Sequence, residues 1–306
     1  MRVYTHPACL QHEPGPAHPE HSGRLAAVIA ALRAAFPLQL DWIEAPAASD
    51  EQLARAHSRR LIAQLRELSP ATGHSRLDED TLMSPASLDA AVHAAGAICA
   101  AIDAVMTAQP RRAFCAVRPP GHHSTRDQAM GFCLFNQIAV GARHALAVHS
   151  LARLAVVDFD VHHGNGTQSI FAADPRVLFV SSHQSPLYPG TGASSETGVG
   201  NVVNGELSAG SGSEEFRRLW QQRLLPAIDD FKPELILISA GFDAHHLDPL
   251  ADLNLGSVDY YWITKQLTGL ADEHAQGRVV SALEGGYSLT ALREGSVAHV
   301  GALLGN

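Results

Sequence analysis

Five short runs of continuously apolar residues recur along the chain, at 113–117, 154–159, 177–180, 235–238 and 279–283. They do not alternate with polar residues, which predicts strands covered on both faces. Helical stretches lie between them. The longest is expected to start with Ser84 as N-cap and Pro85 at the first helical position. Amphipathic stretches at 214–228 and 258–274 predict two more helices. Strands alternating with helices imply an α/β fold with a mostly parallel sheet.

Each apolar run leads into a polar segment rich in Gly, His or Asp. These are RPPGHHS (118–124), DFDVHHGNG (158–166), SSHQ (181–184), SAGFDAHH (239–246) and EGGY (284–287). In open α/β sheets, ligands bind outside the carboxyl ends of the strands. Five such segments at five strand ends are therefore expected to converge on one site.

The first chemistry they suggest is metal binding. Residues two apart on an extended strand end face the same way. Asp160 and His162 can thus reach one ion together, with Asp158 alongside or behind them, and Asp243 completes the set. Three protein ligands leave an open position, the mark of a catalytic zinc site. Two carboxylates neutralise the ion's charge and weaken it as a Lewis acid, so neighbouring groups must help activate water. His122 and His123 are candidates for general base and general acid, with Asp158 and Asn165 as candidate partners for their far nitrogens. After the last strand, Gly285 and Gly286 allow a sharp turn that could bring the Tyr287 hydroxyl to polarise a carbonyl.

Composition excludes several classes. The 306 residues carry 22 Lys plus Arg against 31 Asp plus Glu, net −9, with only Lys232 and Lys265 as lysines. That is not the basic footprint of a nucleic-acid binder. The four cysteines, Cys9, Cys99, Cys115 and Cys133, form no C-x-x-C pair, and a reducing compartment, the cytoplasm, is expected. The N-terminus has no apolar signal region. The alanine-rich stretch 90–106 includes His93 and Asp103 and is expected to be a packed helix rather than a membrane span. Turn-rich segments at 13–19, 69–74 and 185–212 do not look like linkers, so one domain over 1–306 is expected.

Taken in order, HPEHSGRL, DTLMSPASL, RPPGHHS, GFCLFN, DFDVHHGNGTQ, SSHQSPLYPGTG, GFDAHHLDPL and EGGY resemble the histone deacetylase family, of the arginase/deacetylase fold group. The match runs from about residue 18 to 287. The resemblance implies a three-layer α/β/α domain around a parallel eight-stranded sheet. It implies zinc on Asp160, His162 and Asp243, His123 as general base or acid and base, His122 as its electrostatic partner, and Tyr287 as oxyanion donor. Asp158 matches the acid paired with His122. It also matches a ligand of a structural potassium ion, whose shell adds main-chain oxygens of Asp160, His162 and Ser182 and the Ser181 hydroxyl. A second monovalent site would fall near Phe171, Asp174, Val177 and Asn201.

For the substrate, the resemblance implies a tunnel walled by Phe132 and Tyr188, with Gly131 offering its carbonyl, Leu250 at the mouth and Arg24 lining an acetate-release channel. Many family members carry Phe where Tyr188 stands, and some carry an acid where Asn165 stands, so a less basic catalytic His is expected. Leu250 is apolar where polyamine-selective members place an acid. The implied reaction is hydrolysis of acetylated lysine in peptides or proteins by a stand-alone, prokaryotic-type catalytic domain. A small acetylated amine such as an acetylpolyamine is the alternative substrate. Zinc is the implied metal, while iron(II) or cobalt suits the same ligand types. A two-metal ureohydrolase needs a second acid where Ala244 and His245 follow Asp243. A silent acyl-lysine binding module would be expected to lack one of the His pair, the ligands or Tyr287.

Overall fold

The computed structural model describes residues 1–107 and 109–306. Eight strands form one sheet: β1 (Arg2–Thr5), β2 (Asp41–Glu44), β5 (Arg112–Cys115), β6 (Leu154–Asp158), β7 (Val177–Gln184), β8 (Val202–Leu207), β9 (Ile236–Ala240) and β10 (Val279–Leu283). A separate two-stranded ribbon joins β3 (Ser75–Arg76) to β4 (Leu82–Met83). The sheet order is β2-β1-β5-β10-β9-β6-β7-β8, and every pairing in it is parallel. Every residue of β6, β7, β9 and β10 is buried, as expected for strands with helices on both faces.

The five strands with loaded ends are neighbours: β5, β10, β9, β6 and β7. All are parallel, so their carboxyl ends open on the same edge and the five polar segments meet there. The apolar helix Ser87–Thr107 is long enough to cross a bilayer, but 67% of its most apolar window is buried. It packs on the helix Gln137–Val148 and on β1 and β5.

Several boundaries differ from expectation. The longest helix starts at Ser87, not at Pro85. The Ser87 hydroxyl accepts the Ser84 N–H at 2.7 Å, and Pro85 lies in the turn ahead of the helix. The stretch 214–228 is broken into Ser213–Leu219, a π turn Trp220–Leu224, and Leu225–Phe231. Pro226 has no N–H to donate, and the register slips by one residue there, with the Leu225 N–H reaching the Trp220 carbonyl. The segment 185–212 is not one loop, because β8 lies inside it. β7 runs on through SSHQ to Gln184.

Candidate active site

Asp160 and His162 follow the end of β6, and Asp243 follows the end of β9. One ligand atom from each lies within 4.8 Å of the others. Both carboxylates are fully buried. Glycines make this packing possible. A Cβ on Gly285 would stand 2.0 Å from Asp243 Oδ2 and 2.5 Å from Asp160 Oδ2, and one on Gly241 would stand 2.2 Å from Asp160 Oδ2. The Gly285 N–H donates to Asp160 Oδ2 at 2.7 Å, and the Val161 N–H to Asp243 Oδ1 at 2.9 Å.

One buried atom is left over. Asp243 Oδ2 has no hydrogen-bond partner among the described residues. His162 Nδ1 lies 3.2 Å from it but makes its hydrogen bond to Asp160 Oδ1, at 3.1 Å. Burial, reinforced by Asp160, pushes the Asp243 carboxyl up to about 7. Burial also disfavours a charged His162, yet the two carboxylates overcome this and raise it to about 10. Such a cluster is short of positive charge. Two carboxylates, an imidazole nitrogen and an orphaned oxygen fit a divalent cation with an open coordination position.

The adjacent imidazoles, 4.0 Å apart between centroids, are held in different states. His122 Nδ1 lies 3.0 Å from Asp158 Oδ2. Burial opposes its charge, but Asp160 and Asp158 together raise it to about 10. His123 Nδ1 lies 2.8 Å from Asn165 Oδ1. An amide oxygen only accepts, so Nδ1 carries the proton and Nε2 keeps its lone pair. Burial, then repulsion from His122 and His162, holds His123 well below the usual histidine range. A charged His122 thus stands beside a neutral His123.

The sequence reading gave Glu284 no role. Its carboxylate is buried under the His pair and accepts from the N–H groups of Gly121 (2.6 Å) and His122 (3.3 Å), the Ser239 hydroxyl (3.2 Å) and Gln137 Nε2 (3.3 Å). It ties the His-bearing loop to β9, β10 and the helix Gln137–Val148. The sequence signal was an acid directly after an apolar strand, where desolvation makes an unpartnered carboxylate costly. Asp248 also went unremarked. It accepts from the Tyr287 N–H at 2.7 Å and the Leu250 N–H at 3.0 Å, linking the turn after β10 to the 245–250 loop.

Arg24 is fully buried and ion-paired with Glu20. It donates to the carbonyls of Gly286 and Glu284 and lies 4.8 Å over the Tyr287 ring. The Tyr287 hydroxyl has no hydrogen-bond partner among the described residues. Burial raises its pKa well above the usual range, with Asp243 and Asp160 adding to the rise against Arg24. The Phe132 ring stands edge-on to Tyr287 at 5.9 Å. Tyr188 stands edge-on to His123 at 5.0 Å and lies 6.3 Å from His162. Gly131 has φ +58°, and a Cβ on it would stand 2.5 Å from the His123 ring. Leu250 is partly exposed.

The strand register places Asp158 opposite Ser181. His183 Nε2 faces the Gly192 carbonyl, so its Nδ1 accepts from the Ser181 hydroxyl at 3.0 Å and leaves the hydroxyl lone pairs free. Phe171, Asp174, Val177 and Asn201, near which the resemblance put a second monovalent site, also meet. Asn201 Nδ2 itself lies against the other three carbonyl oxygens, at 2.8, 3.0 and 2.8 Å. A donor nitrogen in that position cannot be an ion ligand. Elsewhere, Asp103, His144 and His149 form a second compact group. There Arg55 donates to His144 Nδ1, so His144 Nε2 is protonated and donates to Asp103, with no lone pair to offer a metal.

Three comparisons place this geometry among known proteins. A histone deacetylase domain model matches residues 18–303. A histone deacetylase-like amidohydrolase of Pseudomonas aeruginosa is 40% identical over 275 residues, covering 88% of this chain and 72% of its own. Histone deacetylase 14, chloroplastic, of Arabidopsis thaliana is 37% identical over 326 residues, covering 99% and 76%. The crystal structure of the HDA15 HD domain superposes with a TM-score of 0.94 at 34% identity, covering 99% of this chain and 88% of that one.

Proposed function

Because the chain belongs to the histone deacetylase family, we propose that this amide hydrolase is a zinc-dependent deacylase converting acetylated lysine side chains to free amine and acetate. The observation that carries the reading is a pair of adjacent imidazoles with different partners, Asp158 and Asn165, beside a three-residue cation site. Asp160, His162 and Asp243 hold the ion, which when bound supplies Lewis acidity toward an amide carbonyl and lowers the pKa of a water.

The remaining work falls to the chain's own groups. His123 Nε2, left unprotonated by the Asn165 bond, takes the proton of the attacking water. The Tyr287 hydroxyl, without a hydrogen-bond partner among the described residues, donates a hydrogen bond to the carbonyl oxygen as it gains charge. His122 stays charged against Asp158 and keeps His123 a weak base, so His123 readily returns its proton to the departing amine nitrogen. Phe132 and Tyr188 flank the acyl-lysine stem, the Gly131 carbonyl accepts from the substrate amine, and Leu250 borders the entrance. Asp158, the main-chain oxygens of Asp160, His162 and Ser182, and the Ser181 hydroxyl hold one potassium ion behind the site.

The test is steady-state turnover of zinc-loaded protein on an acetyl-lysine peptide, a longer acyl-lysine peptide and an acetylpolyamine, each with a chelator control. Chelator-sensitive turnover favouring the peptides supports the reading. A strong preference for the acetylpolyamine overturns the substrate while keeping the chemistry. No turnover on any of them overturns the reading altogether.

A further inference from the structure

We propose that Asn201 is a built-in replacement for a monovalent cation: its amide nitrogen fills a ring of three main-chain oxygens, and removing the side chain opens that ring to a potassium-sized ion. The ring is made by two successive turns. The Asp174 N–H reaches the Phe171 carbonyl at 2.9 Å, and the Val177 N–H reaches the Asp174 carbonyl at 3.1 Å. These bonds fix the carbonyls of Phe171 and Asp174, and Asn201 Nδ2 sits where they and the Val177 carbonyl converge, at 2.8, 3.0 and 2.8 Å.

Three convergent carbonyl dipoles repel one another unless something positive lies among them. At its other end, Asn201 Oδ1 accepts the Val199 N–H at 3.1 Å, a donor it shares with the Ala172 carbonyl at 2.9 Å, so the oxygen faces away from the ring. Only the nitrogen can then face the ring. A primary amide offers only two hydrogens to the three oxygens, two of which, those of Phe171 and Asp174, also accept a backbone N–H. Asn201 is 4% exposed, so water does not readily make up the difference. Gly198 closes the cradle: at φ +56°, a Cβ there would stand 2.6 Å from both Asn201 Oδ1 and the Ala172 carbonyl oxygen. The side chain therefore ties the 171–177 segment to the start of β8 and leaves no room for an ion between them.

The test uses the zinc-loaded full chain and rubidium as a heavy stand-in for potassium. Crystals of the wild type grown in rubidium chloride should show no anomalous peak among the three carbonyl oxygens. Asn201→Ala should show one. In parallel, the thermal midpoint of Asn201→Ala should fall in choline chloride and recover as potassium replaces choline at constant ionic strength. The wild type serves as reference for any response from another potassium site. If Asn201→Ala folds too poorly to crystallise, Asn201→Ser takes its place. The wild-type map decides on its own: a rubidium peak inside the wild-type ring overturns the proposal. So does a folded variant with an empty ring and a potassium response equal to the wild type's.

Discussion

Substituting Gly285 by Ala should disable the metal site without touching a ligand. The added Cβ would stand 2.0 Å from Asp243 Oδ2 and 2.5 Å from Asp160 Oδ2, where real Cβ contacts essentially never fall below 3.0 Å. Asp243 Oδ2 must therefore retreat by about 1 Å, several times the roughly 0.2 Å tolerance of metal–ligand distances. Both carboxylates are fully buried, so neither has open space to move into. Gly285 is not among the positive-φ glycines, so Ala brings no backbone strain of its own. Lesser disturbances around metal ligands cost about 10–100-fold in affinity, and zinc affinity here should fall by at least the upper figure. The assay is competition for zinc against chelators of graded strength. Gly269→Ala is the control: its Cβ would meet nothing within 4 Å, and it lies in the helix Ser257–His274. It should keep parental affinity and gain about 0.5–1 kcal/mol of stability. A folded Gly285→Ala protein with zinc affinity within threefold of the parent would refute the reasoning.

Tyr287→Phe should lower kcat by about 10²–10³ while leaving the thermal midpoint nearly unchanged, since the hydroxyl has no hydrogen-bond partner among the described residues to lose; turnover within tenfold of wild type would count against its role. Asn165→Asp puts a carboxylate where an amide oxygen now lies 2.8 Å from His123 Nδ1. A negative charge stabilises the imidazolium, so the folded pKa of His123 rises. The base works when neutral, so the acid limb of kcat/KM against pH should move upward; no movement, or a downward one, breaks the assignment. Glu284→Ala leaves four donors without their acceptor, loosening the His-bearing loop. It should depress kcat with KM and zinc content close to wild type; a change in KM alone would point to substrate binding instead.

The central strands were legible because they are buried on both faces and therefore spelled in unbroken apolar residues, as in LAVVD and VVSAL. β1, β2 and β8 were not read as strands. β2 is an edge strand whose ends, Asp41 and Glu44, are exposed, and β8 carries Asn204, Gly205 and Glu206 in a segment otherwise rich in turn residues. The convergence of Asp160, His162 and Asp243 was readable because D-x-H and a late Asp stand directly at strand ends, where chain geometry fixes their direction. The functions of Glu284 and Asp248 depend on which backbone N–H groups fold onto them, and those partners lie far off in sequence. The place of Asn201 was readable from resemblance, but not the direction of its amide, which the Val199 N–H sets.

The most direct test of the account is a zinc titration of metal-stripped protein, following bound metal and acetyl-lysine peptide turnover together. Turnover should rise in proportion to bound zinc and saturate at one ion per chain, and Asp243→Ala should abolish both tight binding and turnover. Full turnover in the stripped protein, or unchanged tight binding in Asp243→Ala, would contradict it.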